Sequence, residues 1–217
     1  MNQAQTDAPL RRTFRGSRDA LVARAIDEPE LGWRVLITLN AFRLLISTAL
    51  LLLFSVGSDP HFFGDAEPTL FAATAAGYLV FAILSAVSLR QQWVPRVALA
   101  ITQLLVDIVA IVILMHASGG ISSGLGGLLV IFIGAASLVI PVIVSATLAA
   151  IATFFILGEQ FYTQLTEIDV VANYPAAGIL SGVIFALALA TQPLARRIRA
   201  SEALARQFGV DLKNLSE

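Results

Sequence analysis

Residues 121–157 read ISSGLGGLLVIFIGAASLVIPVIVSATLAAIATFFIL, a stretch without a single Asp, Glu, Lys or Arg. A helix crosses a hydrocarbon core of about 30 Å with about 20 apolar residues, at about 1.5 Å per residue. The stretch is therefore too long for one span and fits two only if it turns sharply. Pro141 is the one residue in it that opposes a continuing helix, through its missing N–H and its ring. Whether the chain turns there decides between five and six spans, and hence the side on which the C-terminus emerges.

The rest of the chain supplies the answer through charge. Apolar runs lie at residues 35–56, 69–89, 97–115, 121–140, 142–161 and 174–194. Of the fourteen Lys and Arg, six precede the first run (Arg11, Arg12, Arg15, Arg18, Arg24 and Arg34), Arg90 and Arg96 flank the second loop, and five follow the sixth run (Arg196, Arg197, Arg199, Arg206 and Lys213). The loops at 57–68 and 164–173 carry acids (Asp59, Asp65, Glu67, Glu167, Asp169) and no basic residue. Basic loops stay cytoplasmic, so both termini are expected inside. That requires an even number of spans and a turn at Pro141. Trp33, Trp93, Tyr162 and Tyr174 fall at the expected interfaces, where aromatic anchors are enriched.

Composition agrees with an all-α, polytopic integral membrane protein. Hydrophobic residues make up 57% and charged residues 13%, against about 45–50% and about 25% in soluble domains, and the mean hydropathy is +0.82. A net charge of −1 offers no field for nucleic acid. The absence of cysteine excludes disulfides and thiolate ligands. Residues 1–32 (with RRTFRGSRDALVAR) are expected to form a basic cytoplasmic tail with no signal peptide, 33–195 the six-helix domain in the lipid bilayer, and 196–217 the start of a cytoplasmic helix.

Two groups stand out inside the spans. Arg43 is the one basic residue within an apolar run, and Asp107 the one acid near the middle of one. Counted from Arg34 and Arg96 at the same face, their depths are roughly 13.5 and 16.5 Å. An intramembrane ion pair between the first and third helices is therefore expected, with Asn40, Ser47 and Gln103 in its polar seam. It serves either as a clasp for helix packing or as a pair that rearranges on signalling. Near the outer end, His116, Glu159 and Gln160, with Ser122 and Ser123, are candidates for an outward-facing polar site. Alternatively, Glu159 simply reaches the headgroups and His116 belongs to a loop. His61 and His116 lack the spacing of metal ligands, so no metal or cofactor is expected.

Glycines form a third pattern. Gly120, Gly124 and Gly127 lie in SGGISSGLGG, and Gly178 and Gly182 repeat the four-residue spacing. Small residues at this spacing let helices approach closely. Internal packing is the default reading, a dimer or partner interface the other. A phosphate-binding reading of the glycine turn fails, because no Lys-Ser/Thr follows it.

After Pro193 come ARRIR and then Ile198, Ser201, Ala205, Phe208, Leu212 and Leu215, in steps of three and four. Such steps suit a two-helix seam, although a helix lying on the membrane is also possible. The segments SGGISSGLGGLLVIFIGAASLVI, FFILGEQFY and NYPAAGILSGVIFALALATQPLARRIRASEALARQFGVDLKNLSE resemble the membrane half of PilS-type sensor histidine kinases, over roughly residues 31–217. Arg43 and Asp107 fall where that family's first and third spans carry an Arg and an Asp. The turn between the fourth and fifth runs differs from relatives that place basic residues there.

The resemblance implies an inner-membrane input domain of a dimeric kinase. It would sense pilin and act, through a linker, a PAS domain and a kinase region, on a cognate response regulator of type IV pilus genes. A pilin sensor would need a groove for an apolar helix, for which the small faces at 120–127 and 178–182 are candidates. Arg43 would be available to an acidic residue on that helix. No His-Glu-x-x-Asn phosphoacceptor motif and no Gly-rich ATP box occurs in the 217 residues, so they are expected to be either the sensor portion of a longer kinase or a truncated relative. A small transporter or channel using the Arg43/Asp107 pair is the alternative, weakened by the lack of an internal repeat. An integral membrane enzyme would need clustered Asp or His, which the sequence lacks.

Overall fold

A computed structural model describes residues 29–56, 63–91, 96–166 and 173–193. All regular structure in these residues is helical: α1 (Pro29–Val56), α2 (Pro68–Gln91), α3 (Arg96–Ala117), a 3-10 turn (Gly120–Ser123), α4 (Gly126–Ala136), α5 (Val142–Thr166) and α6 (Tyr174–Pro193). Every helix except α4 is long and apolar enough to cross a membrane. Leu45, Leu84, Phe154 and Ile179 are each more than 60% exposed. Lipid accepts such side chains; water would not favour so many.

The centre of the bundle is α3. Half of its apolar window is buried, against 22% for α6 at the periphery. It packs against α2, α4 and α5, while α1 lies on α2 and α4. Phe42 meets Phe132 across the α1–α4 contact, with ring centroids 5.6 Å apart. Leu36, Ile108, Ile111, Leu129, Phe132 and Ile156 belong to one continuous apolar core.

The fourth run departs from its expected span of 121–140, because the α-helix covers only Gly126–Ala136. Its 11 residues rise roughly 16 Å, about half of the core thickness. Both ends have local causes. Gly119, Gly120 and Gly124 adopt φ of 84°, 78° and 75°, which glycine enters without the Cβ penalty, and the backbone forms a 3-10 turn instead of an α-turn. At the other end, Leu138 and Val139 donate to the carbonyls three residues back, Ala135 and Ala136, tightening the chain ahead of Pro141. Irregular backbone at membrane depth must be covered by protein. Here α6 covers it: Gln192 Nε2 donates to the Ser137 carbonyl at 3.2 Å, and Thr191 hydrogen-bonds the Ser137 hydroxyl.

The fifth helix runs five residues past its expected end at 161, to Thr166. Apolarity ends near Phe161 while helical hydrogen bonding continues, and Thr166 Oγ1 bonds back to the Tyr162 carbonyl at 2.9 Å.

Candidate functional site

Helical geometry brings Asn40 and Arg43 to the face of α1 that meets α3, one turn apart. Arg43 and Asp107 are each 1% exposed and form a two-pronged pair, Nε to Oδ1 at 2.6 Å and Nη2 to Oδ2 at 2.5 Å. The planar fork of the guanidinium matches a carboxylate in this way. Arg43 Nη1 donates to Asn40 Oδ1 at 3.3 Å. A third helix joins through Tyr78 of α2, whose hydroxyl donates to Asp107 Oδ1 at 2.7 Å. The guanidinium carbon lies 5.7 Å from the ring centroids of both Phe81 and Phe132, within the range of cation–π attraction.

A second polar contact continues the seam toward the other end of α3, where Gln103 donates to the Ser85 hydroxyl. Ser47 is buried but bonds its own helix, at the Leu44 carbonyl. Sequence reasoning missed Tyr78, Phe81, Ser85 and Phe132. Tyr78 had a usable signal: a phenol at mid-span must find an acceptor, since lipid offers none. A cavity of about 10 Å³ borders Arg43, Gln103 and Asp107, room for about one water molecule.

The end of the bundle carrying the C-termini of α3 and α5 holds a second cluster. His116 Nδ1 lies 3.2 Å from Glu159 Oε1, Thr163 donates to that oxygen at 3.2 Å, and Gln160 Nε2 donates to Oε2 at 2.5 Å. Asn173 N–H closes onto Gln160 Oε1 at 2.8 Å, tying the start of α6 to α5. Glu159, Gln160 and Thr163 are all buried. Ser122 and Ser123 stay outside this network: Ser122 is exposed, and Ser123 bonds the Gly120 carbonyl. Thr163 was not anticipated, because the apolar run ends before it.

The glycines divide by environment. Gly120 and Gly124 are turn residues with positive φ, and Gly120 lies against Glu159 and Gln160. Around Gly127, Gly178 and Gly182 the space for a Cβ is open, so internal packing, the default expected for these positions, is not what occupies them. The close approaches occur instead at Gly126 and Gly134, where a Cβ would overlap Leu180 and Leu187 of α6. Sequence spacing shows that a helix can be approached, not which face has a neighbour. Pro193 is the last described residue of α6 and is exposed. Ile198, Ser201, Ala205, Phe208 and Leu212 lie outside the described residues. Among the described residues, no group of three His, Cys, Asp or Glu could hold a metal ion.

Comparison with known proteins extends this picture. Residues 26–205 match the PilS-like transmembrane domain. The chain belongs to that family. Over 190 residues it is 34% identical to the "Sensor protein kinase PilS" of Pseudomonas aeruginosa, an alignment covering 87% of this chain and 35% of that protein. The chain thus spans about a third of the curated relative's length. No solved structure matches it. As a PilS-like transmembrane domain, the protein is an all-α, multi-pass membrane protein, and both polar clusters lie within the family-matched region.

Proposed function

We propose that the chain is the membrane input domain of a two-component sensor kinase of the bacterial inner membrane, with both termini in the cytoplasm. It responds to pilin and regulates type IV pilus genes. The observation that carries this reading is the family match across the whole helical bundle, together with the similarity to a sensor kinase over 87% of the chain.

Geometry adds a route for the signal. The Arg43–Asp107–Tyr78 cluster locks α1, α2 and α3 together. By contrast, α6 meets α4 through the close approaches at Gly126 and Gly134 and polar bonds near Ser137, meets α5 through the Asn173–Gln160 bond, and buries Ala177, Ile184 and Ala188; none of these contacts is an ion pair. A shift of one packed helix against its neighbours is a common form of such switching. Its motion would enter the exit segment that follows Pro193, pair with a second copy through the heptad seam, and reach a kinase region and its response regulator. The transport alternative has less support, because the buried ion pair borders room for about one water molecule.

The test fuses this domain to the kinase region of a PilS-type protein and reads a pilus promoter while pilin is varied. Output should follow pilin level. Output independent of pilin, with the fusion present in the membrane, would refute the reading.

A further inference from the structure

A groove of about 360 Å³ runs between α3 and α5 at the His116 end of the bundle. Val112 and Ile113 form one wall, Phe154 and Gly158 the other, and His116 and Glu159 the polar side. Phe154 is 75% and Tyr162 55% exposed, so the groove opens sideways, where lipid would be. We propose that it holds one acyl chain of a phosphatidylethanolamine whose ammonium group is bound by Glu159. This goes beyond the pilin reading and does not depend on it.

Size selects the occupant. From Phe154 to Tyr162 the groove follows α5 for roughly 12 Å at about 1.5 Å per residue, less than half of a core about 30 Å thick. A partner helix about 10 Å wide would leave most of its length off the groove. The volume falls near the lower end of the roughly 300–1,000 Å³ that holds a single small ligand. An acyl chain entering from the bilayer fits the width of the groove, and the part of it beyond the groove stays in the lipid.

Charge selects the head. Glu159 accepts two contacts at Oε1 and one at Oε2, whereas a carboxylate offers about four lone-pair sites. By that count, one lone-pair site of Oε2 has no partner among the described residues. The described Arg residues are either at the far end of the bundle (Arg34, Arg90, Arg96) or paired with Asp107 (Arg43). At the groove's end the exposed acids Asp65 and Glu67 add negative charge, and the Glu67 N–H bonds the carbonyl of Ala117, next to His116. A cation carrying N–H donors complements such a site better than choline, which has the charge without the donors, or an anionic glycerol head.

Native mass spectrometry of the purified full chain tests this, after incubation with equimolar phosphatidylethanolamine, phosphatidylcholine and phosphatidylglycerol of identical acyl chains. The wild type should retain the ethanolamine lipid about fivefold over the other two, the ratio a single hydrogen bond supplies. Glu159→Gln should reduce it to their level. Gly158→Leu should displace all three, because nothing lies within 4 Å of a Cβ there and the added side chain has the space of the groove to enter. Equal retention of the three lipids by the wild type would overturn the proposal, as would a preference that survives Glu159→Gln. Unchanged lipid retention in Gly158→Leu would also overturn it; if that variant's fusion had lost its response to pilin, the groove would belong to a partner helix.

Discussion

Asp107→Asn keeps the size of the side chain and removes its charge. In the wild type the carboxylate accepts Arg43 Nε and Nη2 at 2.6 and 2.5 Å and the Tyr78 hydroxyl at 2.7 Å. The asparagine amide can accept only through its one oxygen, and its NH2 group would face guanidinium donors. The Arg43 guanidinium, 1% exposed, is left without a counter-charge. Removing one partner of a buried pair costs about 3–5 kcal/mol, whereas a neutral hydrogen bond inside a membrane protein averages about 0.6 kcal/mol. The two magnitudes are far enough apart to measure. Unfolding of the purified chain in mixed micelles by SDS, followed by helical circular dichroism and tryptophan emission, gives the difference. Asp107→Asn should lose at least about 3 kcal/mol. Arg43→Met with Asp107→Leu removes both charges, and its stability should return to within about 1 kcal/mol of wild type or exceed it. A loss below about 1 kcal/mol in the single variant, or a double variant as unstable as the single, would refute the view that charge compensation governs this site.

Tyr78→Phe leaves the ion pair intact and removes one bond to Asp107, so the same assay should show a loss of about 1–2 kcal/mol, clearly smaller than for Asp107→Asn. Gly134→Leu, which would overlap Leu187 of α6, should destabilise by about 1–3 kcal/mol. Gly178→Leu, where the space is open, should leave monomer unfolding unchanged in the same measurement. The chain contains no cysteine, so single cysteines at Ile198, Ser201, Ala205 and Phe208 report pairing without background. Disulfide dimers should form in membranes at these positions and be scarce at Ala203, and uniform crosslinking at all five would argue against a heptad seam.

The Arg43–Asp107 contact was legible from one sequence because depth along a span is a count of residues. Two opposite charges at similar depth on helices entering from the same face have little else to pair with in lipid. The partners of that contact were less legible. Tyr78 carried a signal in its buried hydroxyl, but Phe81 and Phe132 look like any lipid-facing or core aromatic until the bundle places them beside the guanidinium. Glu159 and His116 are forty-three residues apart and share a site because α3 and α5 run side by side toward the same end.

By itself, the sequence determined that the protein lives in a membrane, that it has six apolar runs with a turn near Pro141, and how deep its charges lie. These properties depend on composition and on counting along the chain. Only the tertiary structure decided that α4 is half the length of its apolar run, that Gly126 and Gly134 meet α6 while Gly178 and Gly182 stay open, and that α5 continues far enough to bring Thr163 onto Glu159. Hydrophobicity reports the environment a segment prefers. Backbone dihedrals and the presence of a neighbour on a given face are set by how the helices pack against one another.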